Sequence, residues 1–353
     1  MPEFLITIAA ATAAGWLLKK IKFPAGMLVG AIVGSIALNL TSDLAYMPYA
    51  GKLAAQIIAG AFIGCGLSRE RLKSLPKIAG PFLCVMAELV LANAIAGALI
   101  WKTSKLDFVT AMLSTMPGGM TDTPLIAADM GADIGYVAVL QFVRLIFSVA
   151  IMPTLIVLLD GGRAKMDRPE GAAPKAEKVR HTPREALCLL AFTAASFAGG
   201  WLGKISGIPA GALAGAMFAA MLVKLAMPEI VLPPAVKRIA QVLAGAFIGC
   251  AIRREQLASL DRFILLPALI IIAVYAALSI LTGILIQRFF HRGRREAMLF
   301  ATPGGASDMV LTAADIGVFS TDLVFMQILR MIIVLSVFPQ AILLIGRLLG
   351  AME

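Results

Sequence analysis

The sequence predicts an all-α polytopic membrane protein made of two homologous repeats, and three observations support this fold class. Hydrophobic residues account for 60% of the 353 residues, and the mean hydropathy is +0.90, whereas soluble domains average about 45–50% apolar residues. The apolar residues form runs of roughly 15–26 residues separated by short polar loops, which is typical of membrane-spanning helices. In addition, the second half of the chain repeats motifs of the first half.

The duplication is visible in the register of the repeated motifs. The stretch AGAFIGC at 59–65 returns unchanged at 244–250, an offset of 185. Its small residues fall on one helix face, which favours helix packing over contact with a substrate. Further along the offset becomes 186, and TMPGGMTDTPLIAADMGAD at 115–133 corresponds to ATPGGASDMVLTAADIGV at 301–318. Biased composition alone does not produce so many registered identities, so we infer a duplication.

Each repeat is predicted to contain five apolar helices and one broken segment. The first repeat occupies 1–160, with its broken segment at 108–131 and its helices at 4–18, 24–40, 48–67, 79–101 and 135–159. A polar linker occupies 161–185. The second repeat occupies 186–353, with its broken segment at 296–317 and its helices at 186–202, 209–227, 235–252, 263–286 and 321–346. Because basic residues follow the first apolar run instead of preceding it, we expect an uncleaved first helix and not a signal peptide.

The distribution of basic residues predicts the orientation in the membrane. The net charge is +10, but no basic stripe interleaved with aromatic residues is present, so we expect no nucleic-acid partner. If each broken segment turns back within the membrane, 21 basic residues fall on one side and 8 on the other; if it crosses, the best split is 18 to 11. The positive-inside rule therefore favours inverted repeats with re-entrant segments and a cytoplasmic linker.

Three residues in each repeat are predicted to break the helix at membrane depth: Pro117, Gly118 and Gly119 in the first, and Pro303, Gly304 and Gly305 in the second. Proline lacks a backbone donor and glycine lowers helix stability. Non-helical backbone is tolerated at that depth only where it is buried in protein or lines a watery cavity. We expect each break to present peptide N–H and C=O groups as ligands. The helix that resumes at about 120 would direct its positive end at an anion.

Carboxylates and hydroxyls follow each break and complete the predicted site. Acidic residues in a membrane usually serve coupling ions, protons or a buried partner. The alternative for Asp122 and Asp308 is simple capping of the resuming helix, and for Asp129 and Asp315 it is a position at the membrane interface. The polar residues after the breaks that we assign to the site are Thr121, Asp122, Thr123 and Asp129 in the first repeat and Ser307, Asp308 and Asp315 in the second.

Two arginines lie inside apolar helices and form a separate signal. Arg144 and Arg330 are each about two and a half turns into a helix, and Gln141 and Gln327 come three residues earlier on the same face. An arginine at this depth needs an anionic partner. One interpretation is a fixed Arg–Asp ion pair that holds the broken segment. The other is an arginine that binds an anion or exchanges partners during transport. Glu88, within the fourth helix, is a weaker candidate for a proton site.

The motifs MPGGMTDTPLIAADMGAD, LQFVRLIFSVAIMP and TPGGASDMVLTAADIG resemble those of the AbrB family of duplicated bacterial inner-membrane proteins. Members of that family have been labelled ammonia monooxygenases or regulators of gene expression. The family is similar to the inverted-repeat superfamily that holds cation:proton antiporters and organic-anion symporters. The resemblance implies a multi-pass protein of the bacterial inner (plasma) membrane, with the glycines of each break at the tips of re-entrant loops. By analogy alone, it implies a fixed scaffold and a moving core.

The function that these features predict is secondary active transport of a small anionic solute coupled to H⁺ or Na⁺. The alternatives are a membrane regulator or sensor that acts through a partner and, with less support, a membrane monooxygenase. Copper or non-haem iron chemistry needs clustered His, carboxylate or Cys ligands, whereas the four cysteines lack CxxC spacing and the two histidines lie in loops. We therefore expect no enzymatic activity, metal or cofactor. The expected partners are a small-molecule or ion substrate and the lipid bilayer, with a homodimer left open.

Overall fold

The computed structural model describes residues 2–21, 26–42, 44–67, 75–160, 183–208, 210–252, 264–304, 309, 313, 316, 318 and 320–351. The all-helical prediction is confirmed, because this part of the chain contains helices and no strands. In chain order the helices are α1 (Pro2–Lys20), α2 (Gly26–Ser42), α3 (Tyr49–Cys65), α4 (Leu75–Thr103), α5 (Phe108–Thr115), α6 (Thr123–Asp129), α7 (Ile134–Ile146), α8 (Met152–Leu159), α9 (Pro183–Ile205), α10 (Gly211–Ala226), α11 (Pro234–Ala251), α12 (Leu265–Phe290), α13 (Arg294–Ala301) and α14 (Thr321–Leu348).

A helix is present at each of the ten predicted apolar positions, within a few residues of the predicted bounds. Within the described residues, five helical stretches are long and apolar enough to cross a membrane: Leu75–Thr103, Ile134–Leu159, Cys188–Ile205, Leu265–Phe290 and Phe325–Leu348. Gly26–Ser42, Tyr49–Cys65 and Gly211–Ala226 are shorter apolar helices. These stretches are compatible with a membrane protein.

The long helix of the first repeat contains a local irregularity. Between α7 and α8, residues Phe147–Ile151 form a π turn, so that Ile134–Leu159 is one continuous helical stretch with a bulge at its centre. The corresponding helix of the second repeat, α14, is α-helical throughout although it contains Pro339. π turns inside helices often occur at functional sites because they re-aim the neighbouring side chains.

Glycines bring α3 against α10, and the equivalent glycines bring α11 against α2. A Cβ added to Gly64 would collide with the backbone of α10. A Cβ added to Gly249, the counterpart of Gly64, would lie 2.6 Å from the carbonyl oxygen of Ile32 in α2. The small residues of the repeated AGAFIGC motif therefore serve close backbone packing, as the sequence favoured.

Two helical groups result from these contacts. The first helical group consists of α1 to α3 with α9 to α11, and its main contacts join α1 to α2, α9 to α10, α3 to α10 and α2 to α11. The second helical group consists of α4 to α8 with α12 to α14, and it contains both broken segments. Fewer contacts connect the two groups. They join α11 to α6 and α7, and α14 to α3 and α10.

Candidate functional site

The first broken segment is a helical hairpin that returns to its own start. Asp107 caps α5 by accepting from the backbone N–H of Thr110 at 2.9 Å, and α5 ends before the proline. A tight turn then closes around Pro117, in which the N–H of Gly118 donates to the carbonyl of Met116 at 2.8 Å. After α6, the N–H of Asp133 donates to the hydroxyl of Thr110 at 3.0 Å. The hairpin therefore has its base at the start of α5 and its tip at the proline.

The second broken segment repeats this arrangement where the structure describes it. The N–H of Gly304 donates to the carbonyl of Thr302 at 2.9 Å, which is the same turn around a proline. The hydroxyl of Ser320, beyond the hairpin, donates to Glu296 near the start of α13 at 2.6 Å. Gly305, Ser307, Asp308 and Asp315, which the sequence assigned to the site, lie outside the described residues.

The two helix-embedded arginines hold the tips through backbone carbonyls. The guanidinium of Arg144 donates to the carbonyls of Met116 and Gly118, the latter at 2.5 Å. The guanidinium of Arg330 donates to the equivalent carbonyls, Thr302 at 3.0 Å and Gly304. Breaking a helix at proline leaves carbonyls without their usual N–H donors, and the planar guanidinium fork can reach two of them at once.

This geometry corrects two expectations. None of the ion pairs among the described residues involves Arg144 or Arg330. Asp122 and Asp129 are described and neither pairs with Arg144, so the fixed Arg–Asp pair is absent from the first repeat. For Arg330 it stays a prediction, because Asp308 and Asp315 lie outside the described residues. The carbonyls expected to be free ligands are also occupied. Gln141 donates to the carbonyls of Leu113 and Met116, both at 2.9 Å, and the Gln327 amide makes a longer contact, 3.4 Å, with the equivalent carbonyl in α13. The protein's own side chains thus satisfy the broken backbone.

Each tip also contacts elements of the other repeat. The hydroxyl of Ser148, in the π turn, lies 2.8 Å from the carbonyl of Pro303. The hydroxyl of Tyr275, in α12, donates to the carbonyl of Thr115 at 2.5 Å. The first tip lies against α14, since a Cβ on Gly118 would be 3.3 Å from the side chain of Leu335. Sequence reasoning missed Ser148 and Tyr275, because their counterparts in the other repeat are apolar and give no repeat signal.

Along the helical stretch Ile134–Leu159, the hairpins approach from opposite ends. The base of the first is at Asp133, which caps α7 by accepting from two backbone N–H groups. The base of the second is at the other end, where Arg295 donates to Asp160 at 2.6 Å. Arg144, which holds the first tip, and Ser148, which contacts the second, are four residues apart. A four-residue separation on a helix is about one turn, so the two tips meet near the middle of the stretch.

Asp122 lies at the first tip and is 4% exposed. The helix α6 begins at Thr123 and not at about 120, so Asp122 occupies its capping position. The side chain of Asp122 makes no capping hydrogen bond. The carboxylate instead lies over Gly119, where it would collide with an added Cβ, and it interacts with the charge of Lys237 from α11. Because the carboxylate stands at the N-terminal end of α6, that end does not offer the free positive site that we expected for an anion.

Asp129 lies at the other end of α6, remote from the tip. It accepts from Lys52 at 2.5 Å and from Gln56 at 2.6 Å, and these partners are 4% and 2% exposed. Lys204 is nearby, beside a cavity of about 180 Å³ that Asp129 and Gln56 help to line. Sequence reasoning missed this pair, although the repeats do signal it: the positions 185 residues after Lys52 and Gln56 are again lysine and glutamine.

Comparison with known proteins identifies the family. A family model described as "Transition state regulatory protein AbrB" matches residues 1–160 and 79–346. The chain belongs to the AbrB family. The resemblance inferred from the motifs is therefore confirmed, and the two overlapping matches to the AbrB model are consistent with a duplicated chain.

Two relatives match the chain over nearly their whole length. YhjN of Bacillus subtilis (strain 168) is 24% identical over 353 aligned residues, which cover 94% of this chain and 90% of the relative. The Escherichia coli (strain K12) protein named "Putative regulator AbrB" is 27% identical over 334 residues, which cover 90% of this chain and 89% of the relative. The similarity of these AbrB relatives therefore extends over both repeats.

Proposed function

We propose that this AbrB-family protein is a secondary active transporter of a small anionic solute, coupled to H⁺ or Na⁺, with its site at the two hairpin tips. The main support is the approach of two broken helical hairpins from opposite ends of one long helix. The residues of that helix that contact the two tips, Arg144 and Ser148, are about one turn apart. Secondary transporters build their sites in this way, from discontinuous helices of inverted repeats near the middle of the bilayer.

The topology that fits this proposal has two inverted repeats in the bacterial inner membrane. The contacts of the hairpin bases, Asp133 with Thr110 and Asp160 with Arg295, support it because they lie at opposite ends of a stretch long enough to span the bilayer. The basic residues then divide 21 to 8 between the two sides, with the linker cytoplasmic. The separation into two helical groups suits alternating access, in which one group moves against the other.

The charge around the tips supports an anionic solute. Arg144 and Arg330 are 4% and 2% exposed, and they remain cationic while they donate to neutral carbonyls. The Nε atom of each has no hydrogen-bond partner among the described residues. Within the described part of the chain, no carboxylate forms an ion pair with either guanidinium. Such buried guanidiniums attract an anion, and a carboxylate or similar group matches their planar donor geometry.

Flux measurements on purified protein in proteoliposomes test this proposal. A thermal-shift screen over organic anions, amino acids and cations first identifies a solute that stabilises the protein. We expect Asp122→Asn, Asp308→Asn and Arg144→Ala each to abolish solute-dependent proton or sodium flux, while the exposed control Glu3→Gln retains it. Full flux in all three variants contradicts the assignment of the site.

A second function is favoured by the name of the E. coli relative, which calls that protein a regulator. Under this alternative the chain is a membrane regulator or sensor of gene expression that acts through a partner. Deleting the gene and restoring it with Asp122→Asn separates the two. If the Asp122→Asn variant, which lacks flux, restores the full transcriptional response, regulation is favoured over transport. We propose no enzymatic activity, since neither hypothesis requires a reaction and the monooxygenase label has the least support from the residues.

A further inference from the structure

Glu88, in α4, is a buried carboxylate with one partnered and one unpartnered oxygen. It is 2% exposed. Its Oε1 is 2.7 Å from the hydroxyl of Ser279 in α12, and its Oε2 has no hydrogen bond within the described part of the chain. The hydroxyl of Thr282 is also close to the carboxylate. Ionisable side chains at membrane depth are costly and usually functional. The transport site proposed above does not use this residue.

The hydroxyl of Ser279 faces two acceptors but has only one proton. Besides Glu88, it lies 3.2 Å from the carbonyl oxygen of Ala301. A serine hydroxyl donates one hydrogen bond and accepts others. When Glu88 is ionised, its carboxylate can only accept hydrogen bonds. Ser279 must then donate to Glu88, and the Ala301 carbonyl receives no hydrogen bond from Ser279. When Glu88 is protonated, its O–H donates to Ser279, and the serine hydroxyl is free to donate to Ala301.

The carbonyl of Ala301 lies next to the second tip, because Ala301 is the last residue of α13. Its counterpart in the first repeat is Thr115, whose carbonyl accepts from Tyr275 at 2.5 Å. Tyr275 and Ser279 are one turn apart on α12, so this helix supplies a hydroxyl to the equivalent carbonyl of each hairpin. Glu88 competes for the hydroxyl of Ser279, which serves the second hairpin.

We propose that Glu88 is the site of the coupling proton, and that proton binding transfers the Ser279 hydroxyl from Glu88 to the Ala301 carbonyl at the second tip. The proton binds to a carboxylate oxygen of Glu88 and leaves from the same atom, and no other covalent bond changes. This inference rests on the proposed transport function and selects H⁺ over Na⁺ as the coupling ion.

The neighbouring charges support a proton at this position. Arg330 interacts with the charge of Glu88 from α14, Arg144 interacts with that of Arg330 from α7, and Tyr275 faces the same cluster from α12. Two guanidiniums repel a further metal cation, which would also need a shell of several oxygen ligands. A proton needs one acceptor atom. The ionised carboxylate balances one of the two arginine charges, so binding a proton increases the positive charge available to an anionic solute.

Infrared difference spectroscopy tests this inference and does not require the transported solute to be identified. Spectra of the full-length protein in lipid are recorded against pH for wild type, Glu88→Gln and the exposed control Glu3→Gln. We expect a carbonyl-stretch band of a buried protonated carboxyl group that is present in wild type and Glu3→Gln and lost in Glu88→Gln. A spectrum of Glu88→Gln that matches the control overturns the assignment.

Two further measurements test the serine and the ion. Ser279→Ala removes the acceptor of the Glu88 O–H, so we expect the band to shift in position without being lost, and an unchanged band overturns the proposed transfer. This variant also gives an answer if Glu88→Gln fails to fold. Titrations in sodium chloride and in choline chloride should give the same midpoint, and a midpoint that follows sodium concentration overturns the choice of H⁺.

Failure of this inference is distinguishable from failure of the transport proposal. If the Glu88 band behaves as expected but no tested anion crosses proteoliposome membranes, the proton site stands and the transport proposal fails. If flux is observed that depends on sodium and not on pH, and the Glu88 band is absent, the transport proposal stands and the proton site fails.

Discussion

Replacing Arg144 by methionine measures how strongly a guanidinium stabilises the first hairpin tip. Methionine keeps an unbranched apolar side chain of similar reach but removes both donors, so the buried carbonyls of Met116 and Gly118 lose their arginine partner. A hydrogen bond from a charged group contributes about 1.5–3 kcal/mol, so two of them correspond to about 3–6 kcal/mol. Gln141 still donates to Met116, which favours the lower half of that range. Arg144→Lys keeps the positive charge but not the planar pair of donors, so it should lower the free energy of unfolding by roughly half as much.

The assay is unfolding of the purified protein by sodium dodecyl sulfate in mixed micelles, followed by circular dichroism. Arg330→Met removes the equivalent contacts of the second tip and should lower the free energy of unfolding by a comparable amount. Arg288 is exposed near the end of α12, so Arg288→Met controls for the general effect of losing a positive charge and should change stability by less than about 0.5 kcal/mol. If Arg144→Met remains within about 1 kcal/mol of wild type, the guanidinium is not what holds the tip.

Three further substitutions test the packing and the polar contacts around the hairpins, all by the same unfolding measurement. Gly64→Ala forces a methyl group against the backbone of α10 and should cost about 1–3 kcal/mol. Gly293→Ala has open space around the added carbon but changes the N-cap of α13, so it should cost less than about 1 kcal/mol. Equal stabilities contradict the close packing. Lys52→Met leaves the carboxylate of Asp129 without its lysine partner. It should therefore lower the free energy of unfolding more than the double variant Lys52→Met/Asp129→Asn does. If the losses of the two single variants add up to that of the double variant, the pair is not coupled. Asp133→Ala removes the cap of α7 at about 1 kcal/mol, and Asp133→Asn should restore most of it.

The helices and the breaks could be predicted because their causes are local. Runs of apolar residues specify membrane-length helices, and the Pro-Gly-Gly motifs end α5 and α13 at their prolines. The point at which the first hairpin resumes its helix was misplaced by about three residues. Asp122 occupies the capping position, so the first helical residue is Thr123. The sequence offered Asp122 as a cap, but not that its side chain would make no capping hydrogen bond.

The hydrogen-bond partners of the buried polar groups were harder to predict than the helices and the breaks. Arg144 was expected to have an anionic partner, either an aspartate or a bound anion, because an arginine at membrane depth is costly without one. Its actual acceptors are backbone carbonyls, which every residue carries, and only the tertiary position of the break selects them. The bond between Ser148 and Pro303 depends on a π turn, which the sequence pattern does not reveal. Lys52 and Gln56 were also missed, but they could have been found, since both recur in register in the second repeat.

The crossed glycine contacts make the two halves of the chain mutually dependent. Gly64 of the first repeat requires the backbone of α10 from the second, and Gly249 of the second requires the backbone of α2 from the first. Each half therefore carries a groove that only the other half fills. Two separately expressed fragments, divided within the polar linker, should accumulate when produced together and be degraded when produced alone. An ancestral half-length protein with these grooves would have needed a second copy of itself to complete its packing, and joining the copies in one chain made that association permanent.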